Sequence, residues 1–291
     1  MKVQQITIIG TGLIGGSFAL ALKKHRFAGR VVGCDKTEVL ARAKKRKAID
    51  AGIMDPAEAA AGSQVIVLAA PVGQILDLIE RIGPRLGPQV LLTDVGSTKV
   101  EIVARARAVF GADAPQRFLG GHPMAGREHA GIEHADADLF QDAPWLFTPQ
   151  PGQKIDQGLS GEFLKLVERV GARPVVLDAE RHDRLCAWAS HLPQMLSTAL
   201  AAMIEEEFSG AAELKGVSGR ALSDMTRLAA SPYVMWRDIA LTNSLNIEAA
   251  LLRLEQKLAH LRENLRTAAL REEFDNANRF HHGDTEARRK K

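Results

Sequence analysis

The segment Gly10-Thr11-Gly12-Leu13-Ile14-Gly15 constrains this chain more than any other. It follows a short apolar run, Gln5–Gly10, that reads as a buried strand, and it opens Ile14–Lys24, which has helical period and composition. A Gly-x-Gly-x-x-Gly pattern is weak alone; between a strand and a helix it is a dinucleotide-binding turn. Gly10 allows the tight turn, Gly12 lets the backbone approach a pyrophosphate, and Gly15 lets the helix pack against the sheet. The helix N-terminus, with Thr11, Leu13 and Ile14 around it, offers N–H groups and a positive dipole end to phosphate. Asp35 ends the next strand, Arg30–Asp35. An acid there binds the ribose 2′-OH and repels a 2′-phosphate, which points to NAD as cofactor. Lys36 and the basic run Lys44–Lys47 read as a solvated helix face.

The rest of the first half keeps the same alternation. Strands are expected at Gln64–Ala70, Gln89–Asp94, Arg117–Gly120, Ala143–Thr148 and Ala172–Asp178, with helices at Val39–Ala51, Ile75–Ile82, Lys99–Phe110 and Gly161–Val170. Continuous apolar strands separated by helices mean a parallel sheet covered on both faces. After Asp178 the strand signals stop, and helices are expected over Arg181–Ala202, Ala211–Ala230 and Ile247 to Asn276, before a polar tail from His281 that reads as frayed. The fold class is therefore α/β: a Rossmann-type doubly wound parallel sheet (residues 1–178), followed by an all-helical substrate and dimerisation domain (179–291). The apolar runs Ala199–Ile204 and Ala249–Leu254 have little sheet left to cover, so they call for a partner, a second copy of the chain.

Composition excludes several classes. With 38 Lys and Arg against 35 Asp and Glu, the net charge of +3 gives no whole-surface nucleic-acid footprint. Cys34 and Cys186, far apart, suggest neither a disulfide framework nor a zinc site, so no metal is expected. The N-terminus runs straight into a strand without a signal-peptide core, and no window reaches the ~18 unbroken apolar residues of a membrane span. A soluble cytoplasmic protein with no membrane partner is the expectation.

Candidate site residues gather at the carboxyl ends of the strands, where doubly wound sheets bind ligands. Ala70 and Pro71 close the third buried strand; Val95 and Ser97 follow the next, where Ser97 is as readily a helix cap as a substrate contact. His122, between Gly121 and Pro123, reads as a loop residue at the same edge, which makes a catalytic role plausible. In the helical half, Pro193 within Ser190-His191-Leu192-Pro193-Gln194 predicts a kink that frees backbone groups for a site. Asp224 and Arg227, three apart on one helix face, read from spacing alone as a surface ion pair.

Six segments resemble, in order, the prephenate/arogenate dehydrogenases of tyrosine biosynthesis: GTGLIGGS, LAAPV, DVGSTK, GGHPMAG followed by Arg127-Glu128, HDRLCAWASHLP and MTRLAASPYVMWRDI, together spanning about residues 5 to 265. The resemblance implies a Rossmann domain followed by a helical domain that pairs two subunits, and an NAD-dependent oxidative decarboxylation of an anionic cyclohexadienol. It implies that His122 is the catalytic histidine on the substrate hydroxyl and that Ser97 contacts the same hydroxyl. It also implies that Arg227 binds a substrate carboxylate within an acidic network of Glu128 and Asp224, and that His191 lies near the substrate. Some members read SHLPH where this chain reads SHLPQ, so Gln194 stands where a histidine faces the substrate side chain; prephenate, arogenate or both remain open as substrates. A β-hydroxyacid dehydrogenase, which would turn over simple hydroxy acids, and a non-enzymatic NAD-sensing module, which would tolerate loss of His122, are the rival readings.

Overall fold

The computed structural model describes residues 3–127, 129–208 and 212–289, excepting the side chains of 212, 213, 215 and 281–289. Its elements run β1 (Gln5–Ile9), α1 (Leu13–Lys24), β2 (Arg30–Cys34), α2 (Thr37–Lys45), β3 (Ala51–Ile53), α3 (Pro56–Ala60), β4 (Val65–Leu68), α4 (Val72–Ile82), β5 (Leu91–Asp94), α5 (Val100–Phe110), α6 (Ala114–Arg117), β6 (Phe118–Pro123), β7 (Pro144–Thr148), α7 (Gly158–Arg169) and β8 (Arg173–Val176). Then come α8 (Ala179–Cys186), a π-helical segment (Ala187–His191), α9 (Leu192–Phe208), α10 (Ala212–Val217), α11 (Arg220–Thr226), a 3₁₀ turn (Arg227–Ala230), α12 (Tyr233–Thr242), α13 (Ser244–Glu263) and α14 (Ala269–Arg289). Contacts divide the chain into two compact units, Met1–Ser244 and Leu245–Lys291.

The eight strands form one sheet in the order β3-β2-β1-β4-β5-β6-β7-β8. Order reverses between β1 and β4, which pair in parallel from Ile6↔Val65 to Ile9↔Leu68; this is the switch point at which such sheets open a ligand crevice. Each sheet face is covered by its own apolar cluster. One holds the ring group Phe18, Phe140, Trp145, Phe147 and Phe163; the other holds Ile75, Ile79, Leu92, Ile102 and Phe118 from β5, β6 and the helices over them. Burial of each such side chain stabilises by about 1.5–3 kcal/mol, so the sheet is the rigid frame on which the site is built.

The structure corrects several expectations. The sheet is not wholly parallel: β6 and β7 pair antiparallel, Gly120↔Thr148 to Pro123↔Trp145. The basic helix ends at Lys45, because Lys47 takes a left-handed φ of 58°, and the chain then adds the edge strand β3. The expected helix Ala211–Ala230 divides into α10, α11 and the 3₁₀ turn, its first residue lying outside the described residues. The long last helix divides into α13 and α14, with α14 continuing to Arg289 where a frayed tail was expected. Among the described residues, no helix is long and apolar enough to cross a membrane.

Candidate active site

The switch-point crevice is lined by Gly10, Gly12, Asp35, Ala70, Pro71 and Gln74 among others, so five of the expected cofactor residues share one cleft. Gly10 has φ +95°, and a Cβ there would overlap the Ala69 carbonyl oxygen. A Cβ on Gly15 would overlap the Gly10 carbonyl, which explains how α1 sits so close to β1. Beside Gly12, by contrast, there is open space. Gly12 caps α1 without any side-chain hydrogen bond and without an acidic residue in the first turn, so the helix start keeps its N–H groups and positive end for an anion. Half-buried Leu13 and Ile14 begin that helix.

Asp35 has a second task that the sequence did not reveal. Its Oδ2 accepts from the Thr11 amide at 2.7 Å and from the Thr11 hydroxyl at 3.2 Å, while Oδ1 accepts from the Lys36 amide at 2.8 Å. The carboxylate thus fixes the glycine turn, and its remaining lone pairs face a cleft that also carries Asp55, Glu58 and Asp77 against Lys36 and Arg81. The acidic excess disfavours a 2′-phosphate and suits an unphosphorylated ribose. The chemistry of these residues fits a dinucleotide.

His122 lies in strand β6, not in a loop: it pairs with Leu146 of β7, and Pro123 is the last residue of the ladder. Gly-Gly-His-Pro has little strand propensity, and the distant partner β7 decides the conformation. The neighbouring strand holds the site together. The buried Asp94 carboxylate accepts from the Gly121 amide at 3.1 Å and from the Gly96 amide at 2.8 Å, and pairs with the fully buried Lys99 ammonium. One carboxylate therefore ties the loop carrying half-buried Val95 and Ser97 to the strand carrying His122.

Behind His122 is a buried polar cluster from α8 and the π segment. His122 Nδ1 is 2.9 Å from His182 Nε2, and His182 Nδ1 is 2.8 Å from Asp183 Oδ1. The same carboxylate accepts from the Lys99 and Val100 amides at 2.7 and 3.0 Å, capping α5. Asn243 Nδ2 donates to the Asp183 carbonyl and lies 3.1 Å from His191 Nδ1. Burial holds His122 well below the usual histidine value, reinforced by His182, Lys99 and His191. Burial likewise lowers His182, against the opposing pull of Asp183, and takes His191 down to about 4. All three imidazoles are neutral at pH 7, which suits His122 to accept a proton. The expectation of no metal-type spacing overlooked His182 and Cys186, four apart on α8; with His122 they place three donor atoms within 4.8 Å of one another. Burial pushes the Cys186 thiol up to about 12, so it is a neutral thiol.

The substrate-side residues are distributed as follows. His191 is fully buried at the end of the π segment, and its Nε2 has no partner among the described residues. The irregularity expected at Pro193 is this π segment just before it, which absorbs the missing proline N–H. Gln194 is buried, and its Nε2 donates to the Leu228 carbonyl at 2.8 Å and to Thr198 Oγ1 at 3.1 Å. Because a carbonyl only accepts, this fixes the amide orientation and leaves the Gln194 oxygen as the group it can offer elsewhere. Ser197 Oγ accepts from the Ala229 amide, so α9 holds the 3₁₀ turn that starts with Arg227 by two side-chain bonds. Arg227 and Asp224 are exposed in the chain. Glu128 lies outside the described residues. Asp94, Lys99, His182, Asp183 and Asn243 were missed as site residues; the His-Asp pair at 182–183 opening HDRLCAWASHLP was their available signal.

Residues 18–176 match the family model described as prephenate dehydrogenase, nucleotide-binding domain, and residues 178–278 match prephenate dehydrogenase, dimerization domain. The chain belongs to the prephenate dehydrogenase family. Within that family, the prephenate dehydrogenase of Lactococcus lactis is 34% identical over 262 residues, covering 90% of this chain and 70% of that protein. The cyclohexadienyl dehydrogenase of Zymomonas mobilis is 32% identical over 278 residues, covering 94% of this chain and 90% of its own. The crystal structure of prephenate dehydrogenase from A. aeolicus in complex with hydroxyphenyl propionate and NAD+ superposes with a TM-score of 0.86 at 28% identity, covering 99% of each chain.

Proposed function

We propose that this chain is an NAD-dependent prephenate dehydrogenase that converts prephenate to 4-hydroxyphenylpyruvate and carbon dioxide. One observation carries the reading: a buried, neutral His122 at the carboxyl end of a strand in the same sheet whose switch-point crevice carries Gly10, Gly12 and Asp35. Gly10, Thr11, Gly12, Leu13, Ile14, Gly15, Asp35, Ala70, Pro71 and Val95 are the residues that would hold NAD, which supplies the hydride acceptor when bound. His122 accepts the hydrogen bond of the ring hydroxyl and draws its proton as hydride departs from the carbinol carbon. It returns that proton to the oxygen as the carbon–carboxylate electron pair enters the ring, releasing carbon dioxide and leaving a phenol. Ser97 holds the same hydroxyl. Arg227, near Asp224 in the chain, grips a carboxylate, and His191 and Gln194 lie toward the side chain.

The helical half from 179 is the dimerisation part of a homodimer, with its boundary to the nucleotide-binding half at 178/179, and the enzyme works in the cytoplasm. The match of 178–278 to a dimerization domain supports the pairing. Steady-state NADH formation with prephenate, beside the same assay with arogenate, tests the reaction. His122→Asn should retain NAD binding while kcat falls by about 10²–10⁴. NADH formation with neither substrate, or near-normal turnover by His122→Asn, would sink the assignment.

A further inference from the structure

We propose that His182, held by Asp183, is a positioning residue that keeps the His122 proton on Nδ1 and the lone pair on Nε2, so that Nε2 is the atom that meets the substrate hydroxyl. The inference rests on the reading of His122 as the base. It follows from the donor inventory of a closed set of groups. An ionised carboxylate only accepts, so His182 Nδ1, 2.8 Å from Asp183 Oδ1, carries a hydrogen. A neutral imidazole has one N–H and one lone pair, so His182 Nε2 is then an acceptor. The atom 2.9 Å from it is His122 Nδ1, which must donate. His122 Nε2 is left with its lone pair free of a hydrogen.

The opposite polarity is disfavoured by burial, which outweighs the pull of Asp183 and Asp94. A protonated His182 would donate from both nitrogens and force the hydrogen of His122 onto Nε2, removing the base. The groups facing the pair are Asp94 from β5, Lys99 from the β5–α5 turn, Asp183 and Cys186 from α8, and His191 from the π segment. The nearby buried Lys99 cation opposes a second positive charge on His182. The neutral Cys186 thiol, 3.6 Å from His182 Nε2 and 3.9 Å from His122 Nδ1, supplies no anion to compensate it. The anchor does not drift either, because the Asp183 carboxylate is held by the amides of Lys99 and Val100 at the start of α5. Asp183, His182 and His122 thus form a chain with fixed polarity that delivers no charge of its own to the substrate.

The test uses the full-length enzyme with prephenate and NAD, and two variants. His182→Leu removes the acceptor; His182→Gln keeps an amide oxygen at the reach of Nε2. We expect His182→Leu to lower kcat about 10–100-fold, with both KM values within about twofold of wild type, and His182→Gln to recover most of the loss. ¹⁵N-histidine NMR of the wild type gives a readout independent of turnover. The His122 resonances, assigned by their loss in His122→Asn, should be pyrrole-type at Nδ1 and pyridine-type at Nε2 near pH 7. In His182→Leu the two forms should mix. A wild-type His122 protonated at Nε2 overturns the proposal even if His182→Leu does not fold. So does unchanged kcat in His182→Leu, or one zinc ion retained per chain and lost in His182→Gln, which would make the three donors metal ligands. Full activity in His122→Asn would instead overturn the reading of the base itself.

Discussion

His122, His182 and His191 share a consequence for stability that no single one of them would make obvious. In the folded chain all three are held below the ordinary imidazole value, chiefly by burial, and His191 as far as about 4. In the unfolded chain they titrate near ~6.5. Below that value the unfolded state binds protons that the native state refuses, so stability falls as pH falls. Each histidine contributes a slope of about 1.4 kcal/mol per pH unit between its unfolded and folded values. Depressed carboxylates such as Asp50 act only at lower pH, so the window from 6.5 to 5 isolates the histidines. Urea midpoints should drop steeply across it, and His191→Gln should flatten the slope; a midpoint constant from pH 7 to 5 would contradict neutral burial. Asp35 makes a second residue-level case. Because its carboxylate both faces the cleft and fixes Thr11, Asp35→Ser should raise KM for NAD as well as narrow the preference over NADP. Comparing kcat/KM for the two cofactors decides, and an unmodified enzyme that uses both equally would remove the role of Asp35.

Among elements, those that were readable from sequence are those whose residues bury locally. β1, β4 and β5 are continuous apolar runs, and α1 follows its glycine turn without ambiguity. The misread elements depend on distant partners. β6 runs past its expected end at Gly120 to Pro123 because β7 pairs with it there, and β3 exists because β2 offers an edge to three residues. The residues of the switch-point crevice were readable because they cluster in motifs; the polar chain behind His122 was not, because Asp94, His182 and Asn243 meet only in the fold. The link between α9 and the turn at Arg227 is of the same kind. Gln194→Leu removes the donor to the Leu228 carbonyl and leaves that buried-side bond unmade, at a cost of about 1–3 kcal/mol. The turn should then hold Arg227 less firmly, so KM for prephenate should rise several-fold while KM for NAD stays constant. An unchanged KM for prephenate would confine Gln194 to a packing role.

At the scale of the whole molecule, the distribution of uncovered apolar side chains is uneven. Among the described residues, large exposed hydrophobics before 178 are Met54, Val100 and Val176; those from Leu185 to Phe274 lie in the half matched to a dimerization domain, and Phe280 follows it. In α13, Leu245 and Leu252 are 80% and 53% exposed and seven apart, hence on one helix face. A stable monomer has little reason to leave such a face to water. Sedimentation at micromolar concentration should give twice the mass of the chain, and Leu245→Glu with Leu252→Glu should lower it; a monomeric wild type would refute the pairing.

The partner of His122 also decides where this chain can be cut and rejoined. His122 belongs to β6, but His182 and Asp183 come from α8, beyond the point at which one family domain gives way to the next. A chimera joined at 178/179 would give the His122 strand of one parent the imidazole support of another, and the α5 cap would change parents with it. One joined near 244/245 would carry the whole chain of hydrogen bonds from a single parent. Insertions face the same arithmetic: one residue added within Ala179–Arg181 turns His182 by about 100° around the α8 axis and away from the strand it serves. Recombination and length variation should therefore be tolerated after Ser244 far better than at the domain boundary itself.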